Sequence, residues 1–511
     1  MRMNISKKSK KLTLFIVIPL IGIIALSAAI FGIAYGYLNR STIKLDFDDS
    51  IEYQTMKYFG ASSCWNMRLV GRDETPEIQQ ELTNYLYGND GLKLSIYRYN
   101  LGAGSIEKDE IKYGESNKTV SFFDSSKYQD NSSFLDPNNY DITRDADYLK
   151  MLKMALETNN VKKLVIFANS PHYLLTKNGL THANEKHENN LPEENFATYS
   201  EYVLIGSTLL YNWISSLGYG NIEIEISPVN EPQWSWGGED AGQEGCHYDY
   251  DILAKFYDIF YSTLNKYNSN NNTNFKMDIF ESGNYKLGLN SSKNKKYFKE
   301  FSKYSYFDSL DGISMHSYAA DTNKSIRRVF ARYYKKFNKE FKMSEYCIMQ
   351  GGVDTSVNRG IESAKVLMQD LNILNATEWS WWLGVAFGGW EDGLVYFDRD
   401  TKVATPSYRY YMYGQFMKYI DSGDTRIKAD IHDLYDLGGV DSVGFKKADG
   451  SIVIVILNDN NKQKTIKIES KKYTQAKIVE TYENTYWKES EKAFDGSFEI
   501  QPYSVTTIIL K

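Results

Sequence analysis

Cysteine is scarce in this chain, with three residues (Cys64, Cys246, Cys347) among 511. An odd count cannot make a complete disulfide framework, and neither CxxC nor a metal-binding spacing occurs. At most one bridge can form, so each thiol reads as a small buried apolar group rather than a nucleophile. Positive charge is also in deficit: 59 Lys and Arg against 65 Asp and Glu leave a net charge of -6. That is the wrong sign for a phosphate backbone and argues against nucleic acid as a partner. A phosphate-cradling glycine turn is missing too. Neither Gly60-Ala-Ser-Ser nor Leu101-Gly-Ala-Gly-Ser105 completes the dinucleotide fingerprint of an open doubly wound sheet. The glycine-rich, acidic stretch Gly237–His247 (Glu239, Asp240, Glu244) has no calcium-loop spacing and reads as a loop at a substrate cleft.

What the chain does have is rings. Aromatics make up 15% of it, including 41 Tyr and 9 Trp, and flat rings suit the C–H faces of sugars. The N-terminus is the other plain signal. A basic flank (Arg2, Lys7, Lys8, Lys10, Lys11) precedes Leu12–Leu38, 27 residues without a charge. A membrane span needs about 20 apolar residues, and a cleavable signal core only about 7–15. The expectation is one N-terminal transmembrane helix within residues 1–40, with everything after Arg40 exported, or secreted if the segment is cleaved near Ser27-Ala28-Ala29.

From residue 57 to 415 short strand-like segments alternate with amphipathic helical stretches (Asp145–Leu156, Ala197–Leu217, Asp251–Lys266, Ile361–Leu374). Eight segments end in polar or aromatic residues: Lys57–Ser63, Leu94–Asn100, Leu164–His172, Glu223–Glu231, Met277–Ser282, Gly312–Tyr318, Phe341–Tyr346 and Thr377–Trp382. Chemistry gathered at the C-terminal ends of eight strands is the layout of a (β/α)8 barrel. Residues 416–511 change character, to short alternating strands separated by turns such as Asp449-Gly450, and read as an antiparallel β-sandwich. Residues 41–56 have strand character and are expected to join that side sheet.

Two carboxylates stand out. Glu231 ends Ile226-Ser-Pro-Val-Asn-Glu and precedes Trp234 and Trp236; Glu345 ends Phe341-Lys-Met-Ser-Glu and precedes Tyr346. A protonated carboxyl to serve the leaving oxygen and an ionised one to attack the anomeric carbon are the minimum for cleaving a glycosidic bond. The spacing of 114 positions means that only the fold can bring them together. Around them, Asn230 suits a sugar hydroxyl, and Asn169, His316 and Tyr318 sit at other strand ends. Glu281, also at a strand end, reads as a residue that orients the others. Arg98 is placed either to pair with Glu345 or to close the barrel by an ion pair. Among Trp379, Trp381 and Trp382, Trp381 is taken as the floor of the sugar subsite.

Read together, the motifs Tyr58-Phe-Gly-Ala-Ser, Tyr97-Arg-Tyr-Asn-Leu-Gly, Asn169-Ser-Pro, Ser227-Pro-Val-Asn-Glu-Pro-Gln, Met315-His-Ser-Tyr, Ser344-Glu-Tyr and Gln501-Pro-Tyr-Ser-Val-Thr-Thr resemble glycoside hydrolase family 30. The resemblance runs from about residue 50 to the C-terminus. It implies a barrel with an attached β-sandwich, Glu231 as acid/base, Glu345 as nucleophile, and no metal or organic cofactor. The run Asn-Glu-Pro-Gln-Trp…Gly-Gln-Glu-Gly-Cys is most similar to the endo-β-1,6-galactanase branch, which implies a galactan substrate. β-1,6-Glucanase, glucuronoxylanase, glucosylceramidase-like hydrolase and a non-catalytic carbohydrate-binding protein stand as alternatives. The chain is expected to act as a monomer. His172 departs from the family pattern, where a second Pro is common, and Leu174 replaces a common aromatic. Both are expected near the substrate.

Overall fold

The structure, a computed structural model, describes residues 41–511 except 109–110, 112–113, 184–188, 235, 238–240, 286–292, 319 and 432–438. The expected membrane segment in residues 1–40 lies outside the described residues, as do Glu239 and Asp240. Among the described residues no helix is long and apolar enough to cross a membrane.

Nine strands build the barrel: β2 (Tyr58–Ser62), β3 (Ile96–Asn100), β4 (Lys163–Phe167), β5 (Glu223–Ser227), β6 (Lys276–Met277), β7 (Phe280–Ser282), β8 (Gly312–His316), β9 (Glu340–Glu345) and β10 (Ala376–Ala386). They are hydrogen-bonded in the order β6-β5-β4-β3-β2-β10-β9-β8-β7, and every pairing among them is parallel. β6 and β7 are two halves of one interrupted strand. The sheet therefore starts and ends on the same strand position, and closes as eight. Helices such as Ala146–Glu157, Phe196–Ser216, Tyr250–Asn271 and Val357–Gln369 return the chain between strands.

The last of these helices begins earlier than in the sequence reading, which starts it at Ile361. Gly360 lies inside the helix. It is a glycine because a Cβ there would lie 2.9 Å from Tyr408 Cβ and 3.0 Å from Met412 Cγ. The close approach of the helix Tyr408–Met417, and not a helix end, explains the residue.

Small barrels are commonly filled with branched apolar side chains, but the lower interior here is ionic. Lys163 Nζ lies 2.5 Å from Glu225 and 2.8 Å from Glu378, and Lys342 pairs with Glu225 and, at 3.4 Å, with Asp278. All five are buried. The strand Glu223-Ile-Glu-Ile-Ser shows why: its period-2 alternation puts Glu225 inside and Ile224 and Ile226 against the helices.

The remaining strands are β11 (Gly393–Asp398), β12 (Val403–Pro406), β13 (Thr425–Ile431), β14 (Val440–Lys446), β15 (Ile452–Asn458), β16 (Lys464–Lys467), β17 (Gln475–Tyr482), β18 (Thr485–Ala493), β19 (Ser497–Ile500) and β20 (Ser504–Leu510). β11 and β12 extend the barrel sheet beside β10. The side domain has the order β18-β17-β20-β15-β14-β13-β1-β16-β19, where β1 (Thr42–Thr55) is the segment ahead of the barrel. β1 pairs parallel with β16 through Thr42–Lys44, then antiparallel with β13 from Leu45 onward, and so passes from one layer to the other. β15 is buried on both faces. Ile452, Ile454 and Ile456 fill the side domain's own core, while Val453, Val455 and Leu457 join the barrel's. At about 1.5–3 kcal/mol per fully buried aliphatic side chain, this one strand contributes to both cores at once.

Candidate active site

The polar ends of the barrel strands converge at one mouth. Glu231, just beyond β5, and Glu281, in β7, both have left-handed backbone (φ 46° and 43°), which is strained for a non-glycine residue and is found where function over-determines the backbone. The Glu231 N–H donates to the Glu281 carbonyl at 2.9 Å, which ties the two strand ends together. On β9 the ladder shifts register, so that Met315 opposes Met343 but His316 opposes Glu345. This bulge turns both Ser344 and Glu345 toward the mouth: Ser344 Oγ donates to Glu281 and Glu345 reaches Arg98.

Arg98 Nη1 donates to Glu345 Oε2 at 2.6 Å, and Nη2 to Asn230 Oδ1 at 3.2 Å while lying 3.7 Å from Glu281. Its guanidinium stacks 3.8 Å from the Phe167 ring centroid. The Tyr318 hydroxyl donates to Glu345 Oε1 at 3.1 Å, and Asn230 Nδ2 to Asn169 Oδ1 at 2.9 Å. His316 sits among three carboxylates, with Nδ1 3.0 Å from Glu231 and 3.6 Å from Glu345, and Nε2 2.9 Å from Glu281.

Burial would lower the His316 pKa, but the Glu345 charge and the hydrogen bonds to Glu231 and Glu281 carry it up to about 10. Burial also pushes Glu231 above the usual carboxylate range, against the pull of His316. In Glu281 the balance reverses: burial is outweighed by Arg98 and His316, and its pKa falls to about 2.

Nearest ligand atoms of Glu231, His316 and Glu345 all lie within 4.8 Å of one another. The cluster is a poor metal site despite that spacing, because an imidazolium donating from both nitrogens has no lone pair to offer. As chemistry, it holds two carboxyl groups with oxygens within 4.8 Å of each other, Glu345 held by Arg98 and Tyr318 and Glu231 by His316.

Beside these groups lies a cleft of about 530 Å³ whose lining includes Trp65, Trp236, Gln243, Cys347, Trp382 and Trp390. A larger hollow of about 900 Å³ lies at the opposite end of the barrel, near Tyr58, Lys162 and Glu223, and contains none of the clustered carboxylates.

Three sequence expectations are corrected here. Trp381 does not floor a sugar subsite: it is fully buried, with Nε1 donating to the Asp392 carbonyl and its ring on Tyr346 and Tyr413. Trp382 takes the cleft position, edge-to-face with Trp65 at 5.2 Å. Alternation along β10 explains it. Glu378 points into the barrel, and Trp382, four residues on, shares that face, while Trp379 and Trp381 face the helices. His172 does not line the cleft either. It is fully buried in a cage of Phe123, Phe134, Tyr173 and Tyr202, and burial lowers its pKa to about 3. Glu244 is turned inward, accepting from Thr119 Oγ1 at 2.6 Å and from the Ser105 N–H, although its neighbours Gly242 and Gln243 do line the cleft.

The sequence of residues 41–396 matches the model of O-glycosyl hydrolase family 30, and residues 423–508 match the glycosyl hydrolase family 30 beta sandwich domain. The chain belongs to glycoside hydrolase family 30. It is an O-glycosyl hydrolase by that membership. An endo-beta-1,6-galactanase of Hypocrea rufa is 24% identical over 398 residues, covering 75% of this chain and 76% of the relative. A conserved exported protein from Bacteroides fragilis superposes with a TM-score of 0.77 at 20% identity, over 92% of this chain and 100% of that one. The catalytic domain of a family 30 xylanase C from Talaromyces cellulolyticus gives 0.66 at 18%, over 92% and 100%. At these identities the two structures share the fold, and say nothing of this enzyme's sugar.

Proposed function

We propose that this family 30 enzyme is a retaining endo-β-1,6-galactanase. The observation that carries the mechanism is the approach of Glu231 and Glu345 oxygens to within 4.8 Å. Retaining glycosidases hold their carboxyl groups about 5–5.5 Å apart, whereas inverting ones need about 6.5–9.5 Å to seat a water. In the first step a Glu345 oxygen bonds to the anomeric carbon as the glycosidic C–O bond breaks. The Glu231 proton passes to the leaving oxygen. In the second, water gives a proton back to Glu231 and its oxygen attacks the anomeric carbon, breaking the ester and restoring the Glu345 carboxylate. Arg98 and Tyr318 hold the nucleophile in place, and Asn230, with Asn169 behind it, meets the sugar hydroxyl beside the reacting carbon.

The choice of galactan is supported by the Hypocrea rufa relative and by the charge of the cleft, whose lining carries the carboxyl of Asp392. Among its described lining residues there is no Arg or Lys to pair with a glucuronate branch. The charge-free run Leu12–Leu38 behind a basic flank supports a catalytic domain held at the cell surface, which fractionation of membranes before and after carbonate washing tests.

Product analysis on β-1,6-galactan, β-1,6-glucan and glucuronoxylan tests the rest. Galacto-oligosaccharides released with retained anomeric configuration, and lost in Glu345→Gln, are expected. Products from glucan or xylan alone would overturn the galactan assignment, and an inverted first product would overturn the mechanism.

A further inference from the structure

Gln233 follows the Asn230-Glu231-Pro232 corner and is as enclosed as Glu231 itself, both being 6% exposed. Among the described residues neither its Nε2 nor its Oε1 has a hydrogen-bond partner. An unpaired buried amide is a standing cost, because its hydration is lost with nothing in return. No other buried glutamine of the described residues lacks partners on both amide atoms: Gln369 Oε1 accepts from Arg327, although its Nε2 has none. Gln79 Nε2 donates to three backbone carbonyls, and Gln415 bonds Thr481 and Thr507. Gln233 stands apart from them, and it does so next to the catalytic acid.

Its position is set by Gly283. A methyl group built on Gly283 would lie 2.3 Å from Trp234 Nε1, 2.6 Å from Glu231 Oε1 and 2.8 Å from Gln233 Nε2. Only glycine leaves space for these three polar atoms to crowd the same point. Trp234 is 40% exposed and presents its ring beside them. The side chains that hydrogen-bond Glu345, namely Arg98 and Tyr318, come from other strand ends. The Gln233–Trp234 pair thus belongs to the acid rather than to the nucleophile, and an acid faces the departing sugar.

We propose that Gln233 is a specificity-determining residue for the leaving-group sugar: its amide donates to and accepts from one hydroxyl of that sugar, while Trp234 carries the ring. One hydroxyl is both donor and acceptor, so it satisfies both orphan atoms at once. Because both amide atoms are enclosed, entry of the sugar includes a small shift of the neighbouring side chains. A leaving group without hydroxyls leaves the amide unpaired and gains nothing from it.

This inference rests on the hydrolase reading above, and its test separates the two. The wild-type enzyme and Gln233→Leu are compared on β-1,6-galactotetraose and on the 4-nitrophenyl glycoside of β-1,6-galactobiose, whose leaving group is not a sugar. The ratio of kcat/KM on the tetraose to that on the aryl glycoside is expected to fall about tenfold, the worth of one hydrogen bond. Transfer of the glycosyl group to added β-1,6-galactobiose, relative to hydrolysis, is expected to fall by the same factor, because the acceptor occupies the same place. Gln233→Asn, with the amide drawn back, is expected to fall between. The melting temperature of Gln233→Leu should stay level or rise, since an unpaired amide is removed. An unchanged substrate ratio overturns the proposal, as does a lowered melting temperature with equal losses on both substrates, which would make Gln233 structural. Failure of the wild-type enzyme on both galactosides instead sinks the galactan reading, and the same ratio is then read on the corresponding pair of whichever sugar the product analysis identifies.

Discussion

His316 offers the sharpest test of the site's electrostatics. It donates to Glu231 at 3.0 Å and to Glu281 at 2.9 Å, and its charge also faces Glu345 at 3.6 Å. Held protonated up to about pH 10, it favours the ionised form of Glu231. Burial favours the protonated form and prevails, so the Glu231 pKa is raised. Replacing His316 by Gln removes the charge and weakens the donor, and leaves chiefly the Trp234 hydrogen bond to oppose burial. The Glu231 pKa must then rise further. A hydrogen bond between charged partners contributes about 1.5–3 kcal/mol, and one pH unit corresponds to about 1.4 kcal/mol. The shift is therefore about one to two units. The assay is the pH dependence of kcat/KM on a soluble oligosaccharide. Its basic limb reports ionisation of the free enzyme's acid and should move to higher pH by that amount in His316→Gln, whatever happens to the maximum rate. A basic limb that stays in place, or moves to lower pH, would refute both the charge on His316 and the role of Glu231 as the acid.

Arg98→Lys keeps the charge but loses the fork that spans Glu345 and Asn230. A misplacement of about 1 Å at Glu345, the proposed nucleophile, can lower kcat about 100-fold, and steady-state kinetics with KM changed far less is the expected pattern. Asp145 is buried, with only the Tyr99 hydroxyl donating to its carboxylate among the described residues, and burial raises its pKa from 3.8 to about 7. A raised folded-state pKa means that this group's contribution to stability is whole below about pH 4 and is lost as pH rises through 7. Up to about 4 kcal/mol is at stake, and urea melts at pH 5 and 8 should differ less in Asp145→Asn than in the wild type. Gly414 faces the side domain across the helix Tyr408–Met417, where a Cβ would meet Trp487 Cζ2 at 2.2 Å and Cε2 at 2.5 Å. Gly414→Ala should destabilise the enzyme by about 1–3 kcal/mol, the usual range for overpacking, as measured by thermal melting.

Much of the architecture is legible in the chain because strand ends carry the chemistry. Asn230-Glu231, His316 and Glu345 each follow an apolar run, and all converge at one mouth. Less legible is what depends on which way a side chain points. Trp379, Trp381 and Trp382 look equivalent as letters, yet a two-residue period anchored on the inward Glu378 selects Trp382. Fixing that anchor required knowing that Glu378 meets Lys163, a pairing across 215 positions that no local pattern announces. The same holds for Gly360 and Gly283, whose glycines answer to neighbours distant in sequence and not to a turn. His172 shows the reverse error. A strand-end position suggested the cleft, but the aromatic residues that enclose it come from three other stretches of chain.

The barrel interior stacks two charge layers with the same stoichiometry. The lower has Lys163 and Lys342 against Glu225, Glu378 and Asp278; the upper has Arg98 and His316 against Glu231, Glu281 and Glu345. Two cations cannot neutralise three buried carboxylates, and a lone ionised carboxylate in such a place is costly, so at least one acid per layer is driven toward its protonated form. Below, burial carries Asp278 to about 7 and raises Glu378 as well. Above, the outcome follows from partners. Glu281 receives His316, Ser344 and Ser227 besides the charge of Arg98, and Glu345 receives Arg98 and Tyr318. Glu231 has no arginine and shares His316 with both other acids. The surplus proton settles there. A charge count thus gives the proton to one of two similar glutamates, the asymmetry that the proposed double displacement needs. The same count explains why His316 must remain a cation: were it neutral, one cation would face three acids, and a second carboxyl would be driven to take a proton.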